Sequence, residues 1–256
     1  MDSAEYVIGY PITTEPKERC ISRIVDWIDD GVRNRYLVCA NPHSLQVAMF
    51  DRIFDLSIKK ANIVIPDGAG IVLASRMLGG KIRERVTGSD IFLGLSEHLN
   101  ARGDYTYFFL GSTEANLVKI AGRLRLDFPN IRVAGTFSPP FKTDFDDEDN
   151  RIMVKAINSS QPDVLWVGMT APKQEKWIYR NKHKLDVKFV GAIGAVFDFY
   201  SGTVKRSGSL FQDHGLEWLP RLLKQPRRLW RRSLISAPSF FLRVLKQRVS
   251  GWNACI

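Results

Sequence analysis

The sequence predicts an α/β protein: a Rossmann-like, mostly parallel sheet with helices on both faces, followed by a basic helical appendage. Three observations predict it. Short apolar runs ending at turn residues alternate with segments of helical period, the pattern of parallel strands joined by helical crossovers. Small and polar residues cluster where the runs end. The charge is also lopsided: from Lys205 to the end there are 11 Lys or Arg and 2 acids, whereas the preceding 204 residues hold 26 and 25. The chain thus divides into a near-neutral core, residues 1–206, and an appendage, residues 207–256, whose excess charge seeks an anionic surface.

The elements follow in order. Tyr36–Ala40 reads as a buried strand stopped by Asn41-Pro42, and Ala48–Lys60 as a helix with Met49, Ile53 and Leu56 on one face. Ala61–Pro66 is the next strand, ending at Asp67-Gly68. Ile71–Leu78 is helical, and Ile91–Arg102 is an amphipathic helix capped by Ser89 or Asp90. Tyr105–Leu110 is a strand ending in Gly111-Ser112-Thr113, with a helix from Glu114 to Phe128 and a short strand at Ile131–Thr136. Asp146–Ser159 is helical, Val164–Val167 a strand ending in Gly168-Met169-Thr170, and Lys173–His183 a helix. Phe189–Val190 begins the last strand, which runs into Gly191-Ala192-Ile193-Gly194.

Composition excludes several classes. With 45% hydrophobic and 25% charged residues the chain is globular rather than disordered. Cys20, Cys39 and Cys255 are far apart and lack CxxC spacing, which argues against a disulfide framework or structural zinc. The first twenty residues lack a basic stretch followed by an apolar core, and no apolar run approaches the ~18 residues of a membrane span. The expectation is a protein held on the cytoplasmic side.

In an open parallel sheet the ligand crevice lies at the carboxyl ends of the strands. Glycine there lets backbone approach a phosphate, and the following helix supplies free N–H groups. A nucleotide or phosphate site fits this spacing; so do purely structural turns.

Larger segments narrow the choice. Asn41 after a strand, then IPDGAGIVLASRMLGGKIRERVTGSDIF, GMTAPKQEKWI, GAIGAVFDFYSGTVKRS and GLEWLPRLLKQPRRLWRR, in that order, resemble the WecG/TagA/CpsF family of glycosyltransferases, from about Val7 to Arg232. The resemblance implies metal-independent, inverting transfer of N-acetylmannosamine, its uronic acid or another hexose such as glucose from a UDP-sugar. The acceptor it implies is a sugar on undecaprenyl diphosphate, for surface or exopolysaccharide synthesis. UDP-sugar is then a substrate and no cofactor is expected. The implied place is peripheral, on the cytoplasmic face of a bacterial inner membrane, with homo-oligomers possible.

Inverting transfer needs a base for the acceptor hydroxyl. The resemblance matches Asp67 to that role; the alternative is an Asp serving its own turn. Asn41 is expected to contact donor or acceptor, or else to form an Asx turn before Pro42. The family usually carries Thr where this chain has Cys39, a weaker hydrogen-bond donor, so the donor sugar stays open. Arg85 either meets a phosphate or pairs with Asp90. Gln174 and Glu175 open a helix after the Gly168 loop and suit UDP, as do Gly111, Gly168 and Gly194; a Glu in a first turn also simply favours the helix dipole. Asp144-Phe145-Asp146 spells D-x-D, but it lies in an acidic run that reads as a helix start rather than a metal site. The four histidines lack ligand spacing.

In the appendage, Leu and Trp alternate with Arg on a helical period, which suits an interfacial helix on anionic lipid through Arg227, Trp230, Arg231 and Arg232. Leu234–Leu245 is too short to span but suits the interface. The resemblance brings Arg221, Arg228 and one of Arg231 or Arg232 to the active site, where they stabilise the leaving diphosphate. Three rivals stand beside this reading. A dinucleotide dehydrogenase lacks its GxGxxG here. A nucleic-acid binder lacks a recognised motif, so no nucleic acid is expected. The third is an inactive family member serving as a membrane scaffold.

Overall fold

The structure is a computed structural model that describes residues 3–204 and 236–250. A hairpin opens the chain: β1 (Ala4–Val7) and β2 (Tyr10–Thr13) pair antiparallel. Both turn residues, Ile8 and Gly9, have positive φ (45° and 85°), as a two-residue turn matched to strand twist requires. Helix α1 (Lys17–Asp29) leads into β3 (Arg35–Ala40), α2 (Pro42–Ala48), α3 (Arg52–Lys59), β4 (Ile63–Pro66), α4 (Ala69–Leu78) and α5 (Gly88–Arg102). Then come β5 (Tyr105–Gly111), α6 (Glu114–Asp127), β6 (Ile131–Phe137), α7 (Asp147–Ser160), β7 (Val164–Gly168), α8 (Lys173–Asn181), a 3-10 turn (Lys182–Lys184), β8 (Phe189–Ala192) and α9 (Val196–Tyr200). The last described helix is α10 (Ala237–Ser250).

Six strands form one parallel sheet in the order β4-β3-β8-β7-β5-β6. The expected Rossmann-like α/β fold is therefore present. Strand parity divides the core. Phe108, Leu110, Leu165 and Val167 face α2, α3, α4, α7, α8 and α10, together with the hairpin's Val7, Tyr10 and Ile12. Their neighbours Tyr107, Phe109, Val164 and Trp166 face α1, α5, α6 and α9. Both faces are covered, so the strands read as continuous apolar runs rather than alternating ones.

Several boundaries move for local reasons. The helix expected over Ala48–Lys60 starts later, as α3 at Arg52, because Asp51 separates it from the unexpected α2 and caps α3 by accepting from the N–H groups of Ile53 and Phe54 at 3.1 Å each. Helix α5 starts at Gly88 and its cap is Thr87, not Ser89 or Asp90; Asp90 instead returns the bond to Thr87 as the third helical residue. The acidic run does begin a helix: Asp146 caps α7, and Lys142 pairs with Asp146 and Asp149. The stretch Leu234–Leu245, expected to suit the interface, is described from residue 236. Phe240 and Val244 of α10 are fully buried, and the helix packs on α2 and α4; only its other side, with Leu242, Leu245 and Val249, is exposed.

Candidate functional site

The turns that end β3, β4, β8, β7 and β5 meet along one edge of the sheet. β5 sends its crossover outward to β6, while the neighbouring β7 sends its own the opposite way to β8. The crevice at such a reversal is the usual ligand site of an open α/β sheet.

On the β3–β4 side, the backbone N–H of Asp67 donates to the carbonyl of Ala40 at 2.8 Å, tying the two strand ends together. Gly68 follows with φ 124°, and a Cβ placed on it would stand 3.8 Å from the Cβ of Asn41. Asp67 and Asn41 are thus neighbours at the rim. Asn41 is a helix cap: its Oδ1 accepts from Ser44 N–H at 3.0 Å, and its own N–H donates to Ser44 Oγ at 2.8 Å. This is the Asx role read from the sequence. It leaves the Asn41 amide nitrogen without a hydrogen bond among the described residues. Arg85 is half-buried, one residue before Val86, whose N–H donates to Pro66 O at 3.1 Å; it therefore flanks Asp67.

Behind this rim lies Cys39, whose thiol donates to Ala192 O at 3.4 Å. Burial first, then the negative charges of Asp67, Glu175 and Asp90, hold the thiol well above its ordinary range. Gly88 fits against it because any Cβ there would come within 3.3 Å of both Cys39 Sγ and Val196 Cγ2. Three acids, from the turn after β4, from α5 and from α8, therefore bear on one neutral thiol.

On the β7–β5 side, Gly111 and Gly168 lie opposite each other. A Cβ on Gly168 would stand 2.3 Å from the Phe197 ring, so only bare backbone fits. Next to them sits a polar cluster that sequence reasoning did not single out. Asn116, 6% exposed, donates to Ser112 Oγ at 2.8 Å and to Asp198 Oδ1 at 3.1 Å, and accepts from Thr203 Oγ1 at 2.9 Å. Asp198 lay inside a segment quoted for its resemblance, but its partner is 82 residues away and only the fold brings them together.

Gln174 and Glu175 close the floor. Gln174 Oε1 accepts from Met169 N–H at 3.2 Å and its Nε2 donates to Glu175 Oε1 at 2.8 Å. Gly194 (φ 49°) packs so close that a Cβ would lie 3.4 Å from both ends of that amide. Glu175 is 2% exposed, and burial pushes its carboxyl up to about 7. Arg221, Arg227, Arg228, Trp230, Arg231 and Arg232 lie outside the described residues.

Residues 5–254 match the model of the glycosyl transferase WecG/TagA/CpsF family, and the chain belongs to that family. A Bacillus spizizenii protein named N-acetylglucosaminyldiphosphoundecaprenol N-acetyl-beta-D-mannosaminyltransferase is 31% identical over 217 residues, covering 85% of this chain and 81% of its own. A Bacillus subtilis protein of the same name is 31% identical over 211 residues (81% and 77%), and a Staphylococcus aureus one 27% over 223 residues (86% and 83%).

Proposed function

We propose that this glycosyltransferase moves a hexose from a UDP-sugar, with inversion and without a metal, onto a sugar carried by undecaprenyl diphosphate. The donor is N-acetylmannosamine, its uronic acid or glucose, and the product feeds bacterial surface or exopolysaccharide. The observation that carries this reading is the placement of Asp67 beside Asn41 at one side of a crevice whose other side is bare glycine backbone. The relatives' printed name supplies the lipid-linked acceptor.

In this reading the diphosphate lies along the Gly111, Gly168 and Gly194 turns. The Ser112–Asn116–Asp198 cluster takes the ribose hydroxyls, which need acceptors such as a carboxylate. Asn41 and Gln174 border the transferred sugar. Asp67 takes the acceptor hydroxyl's proton as the sugar–phosphate bond breaks, and Arg85 meets the departing phosphate. Arg221 and Arg228 of the basic appendage add positive charge there.

The enzyme works peripherally, on the cytoplasmic face of the membrane. Among the described residues no helix is long and apolar enough to cross one. The outer side of α10 carries exposed Leu242, Leu245 and Val249 beside Lys246 and Arg248, the make-up of an interfacial helix. Release of UDP, measured with EDTA present across a panel of UDP-sugars and with a short-chain polyprenyl-diphosphate sugar, tests the proposal. Acceptor-dependent release from one donor supports it and names the sugar. UDP binding without release from any donor would favour the scaffold rival.

A further inference from the structure

Glu175 is the third residue of α8, and its carboxyl is sealed inside the protein. Oε1 takes the Gln174 amide at 2.8 Å, and Oε2 is buried with no hydrogen-bond partner. An ionised carboxylate so placed needs a cation, since burying an unpaired charge is costly. No ion pair reaches it among the described residues, and several cations of the neighbouring elements are engaged elsewhere. On its own helix, the Lys173 ammonium lies 3.8 Å from the centre of the Phe145 ring, and Lys176 bonds Asp51 at the head of α3 at 2.8 Å. On α3, Lys59 pairs with Asp55 at 2.9 Å; on the following 3-10 turn, Lys182 lies over the Tyr36 and Tyr179 rings. β8 offers no titratable side chain. Toward β3 stands the Cys39 thiol, on which Asp67 and Asp90 also bear.

A chain of bonds runs from this carboxyl to the crevice. Glu175 orients the Gln174 amide, and Gln174 Oε1 then holds Met169 N–H. The same amide is wedged against Gly194. One side chain pair therefore fixes the turn after β7 relative to the turn after β8.

We propose that Glu175 is a positioning residue for the transfer, holding the two glycine turns around the donor's diphosphate through Gln174, and that it does so in its neutral, protonated form. The proposal rests on the nucleotide reading given above. Ionisation would place a buried negative charge near Asp67 and under an anionic ligand, loosening both the turn and the ligand. Burial already moves loss of the proton up into the neutral range: the carboxyl is pushed up to about 7. A bound diphosphate raises its hold on that proton further, because linkage between two sites is reciprocal.

The test is the binding of UDP by calorimetry between pH 6.5 and 8.5, for the wild-type chain and for Glu175→Gln, which keeps the acceptor for Gln174 and cannot ionise. Wild-type affinity is expected to weaken about five- to tenfold over that span, within the one-proton limit of about tenfold per pH unit. Glu175→Gln binds with an affinity that changes far less. Repeating the wild-type titration near pH 7.5 in buffers of different ionisation enthalpy reads proton uptake directly and needs no variant; uptake is expected. Equal pH dependence in the two proteins, or no uptake by the wild type, would overturn the proposal. Absence of UDP binding by the wild type at every pH would overturn the nucleotide reading, and this proposal with it.

Discussion

Gly111 and Gly168 face each other across β5 and β7 so closely that a Cβ on Gly111 would stand 2.5 Å from the Gly168 carbonyl oxygen. Gly111 also has φ 120°, a conformation L side chains rarely adopt. Gly111→Ala is therefore expected to lose about 2–4 kcal/mol of stability in urea unfolding, from strain and overpacking together. Its UDP affinity should fall further than its stability alone explains, since the proposed site lays the diphosphate along this turn. Unchanged UDP binding would remove the diphosphate from this turn.

The base assignment makes a kinetic claim. Asp67→Asn keeps the side chain's size and its backbone bond to Ala40 but has no basic carboxylate. Its kcat is expected to fall about 10²–10⁴-fold, the usual worth of general base catalysis, with a much smaller change in KM for the donor. A folded Asp67→Asn protein with wild-type turnover would end the assignment.

Glu175 also governs stability against pH. Its carboxyl is raised to about 7 in the folded chain, from the ordinary value of 4.5. The folded state thus holds the proton more tightly than the unfolded one. Stability from this group is complete below about pH 4.5 and declines as pH rises through 7, by about 3 kcal/mol at most. Glu175→Gln should narrow the difference between its own unfolding midpoints at pH 5 and pH 8 relative to wild type. Parallel curves would show that the carboxyl does not titrate in this range.

The outer stripe of α10 predicts membrane behaviour. Replacing Leu242, Leu245 and Val249 by Ser removes apolar side chains that are 68%, 45% and 87% exposed, so folding should be little affected. Flotation with vesicles rich in anionic lipid is expected to drop several-fold. Flotation equal to wild type would assign membrane contact elsewhere.

The sheet was legible because its strands are buried on both faces. YTYFFL and VLWV could hardly be anything but interior strands, and the glycines after them marked the crevice. The hairpin, α1, α2 and α9 were not read out. The hairpin strands have four residues each with Pro11 inside one, and α9 has five residues within a segment read for its motif. Asn41 and Asp67 stood out because a turn residue ends each strand. Asn116 and Asp198 did not, since an Asn in a first helical turn and a lone Asp are ordinary until the fold joins them. The Gln174–Glu175 pair was noted as polar; that both would turn inward, with the carboxyl sealed, depended on packing that no local pattern records.

The last described helix is fastened to the first hairpin. Ile8 N–H donates to Gln247 Oε1 at 2.7 Å and Gln247 Nε2 donates to Tyr6 O at 2.9 Å, spanning some 240 residues of sequence. During synthesis the hairpin is made well before the side chain that satisfies its turn. The turn therefore stays incomplete until the intervening chain has followed, and a chain shortened before Gln247 would leave the Ile8 N–H without this partner.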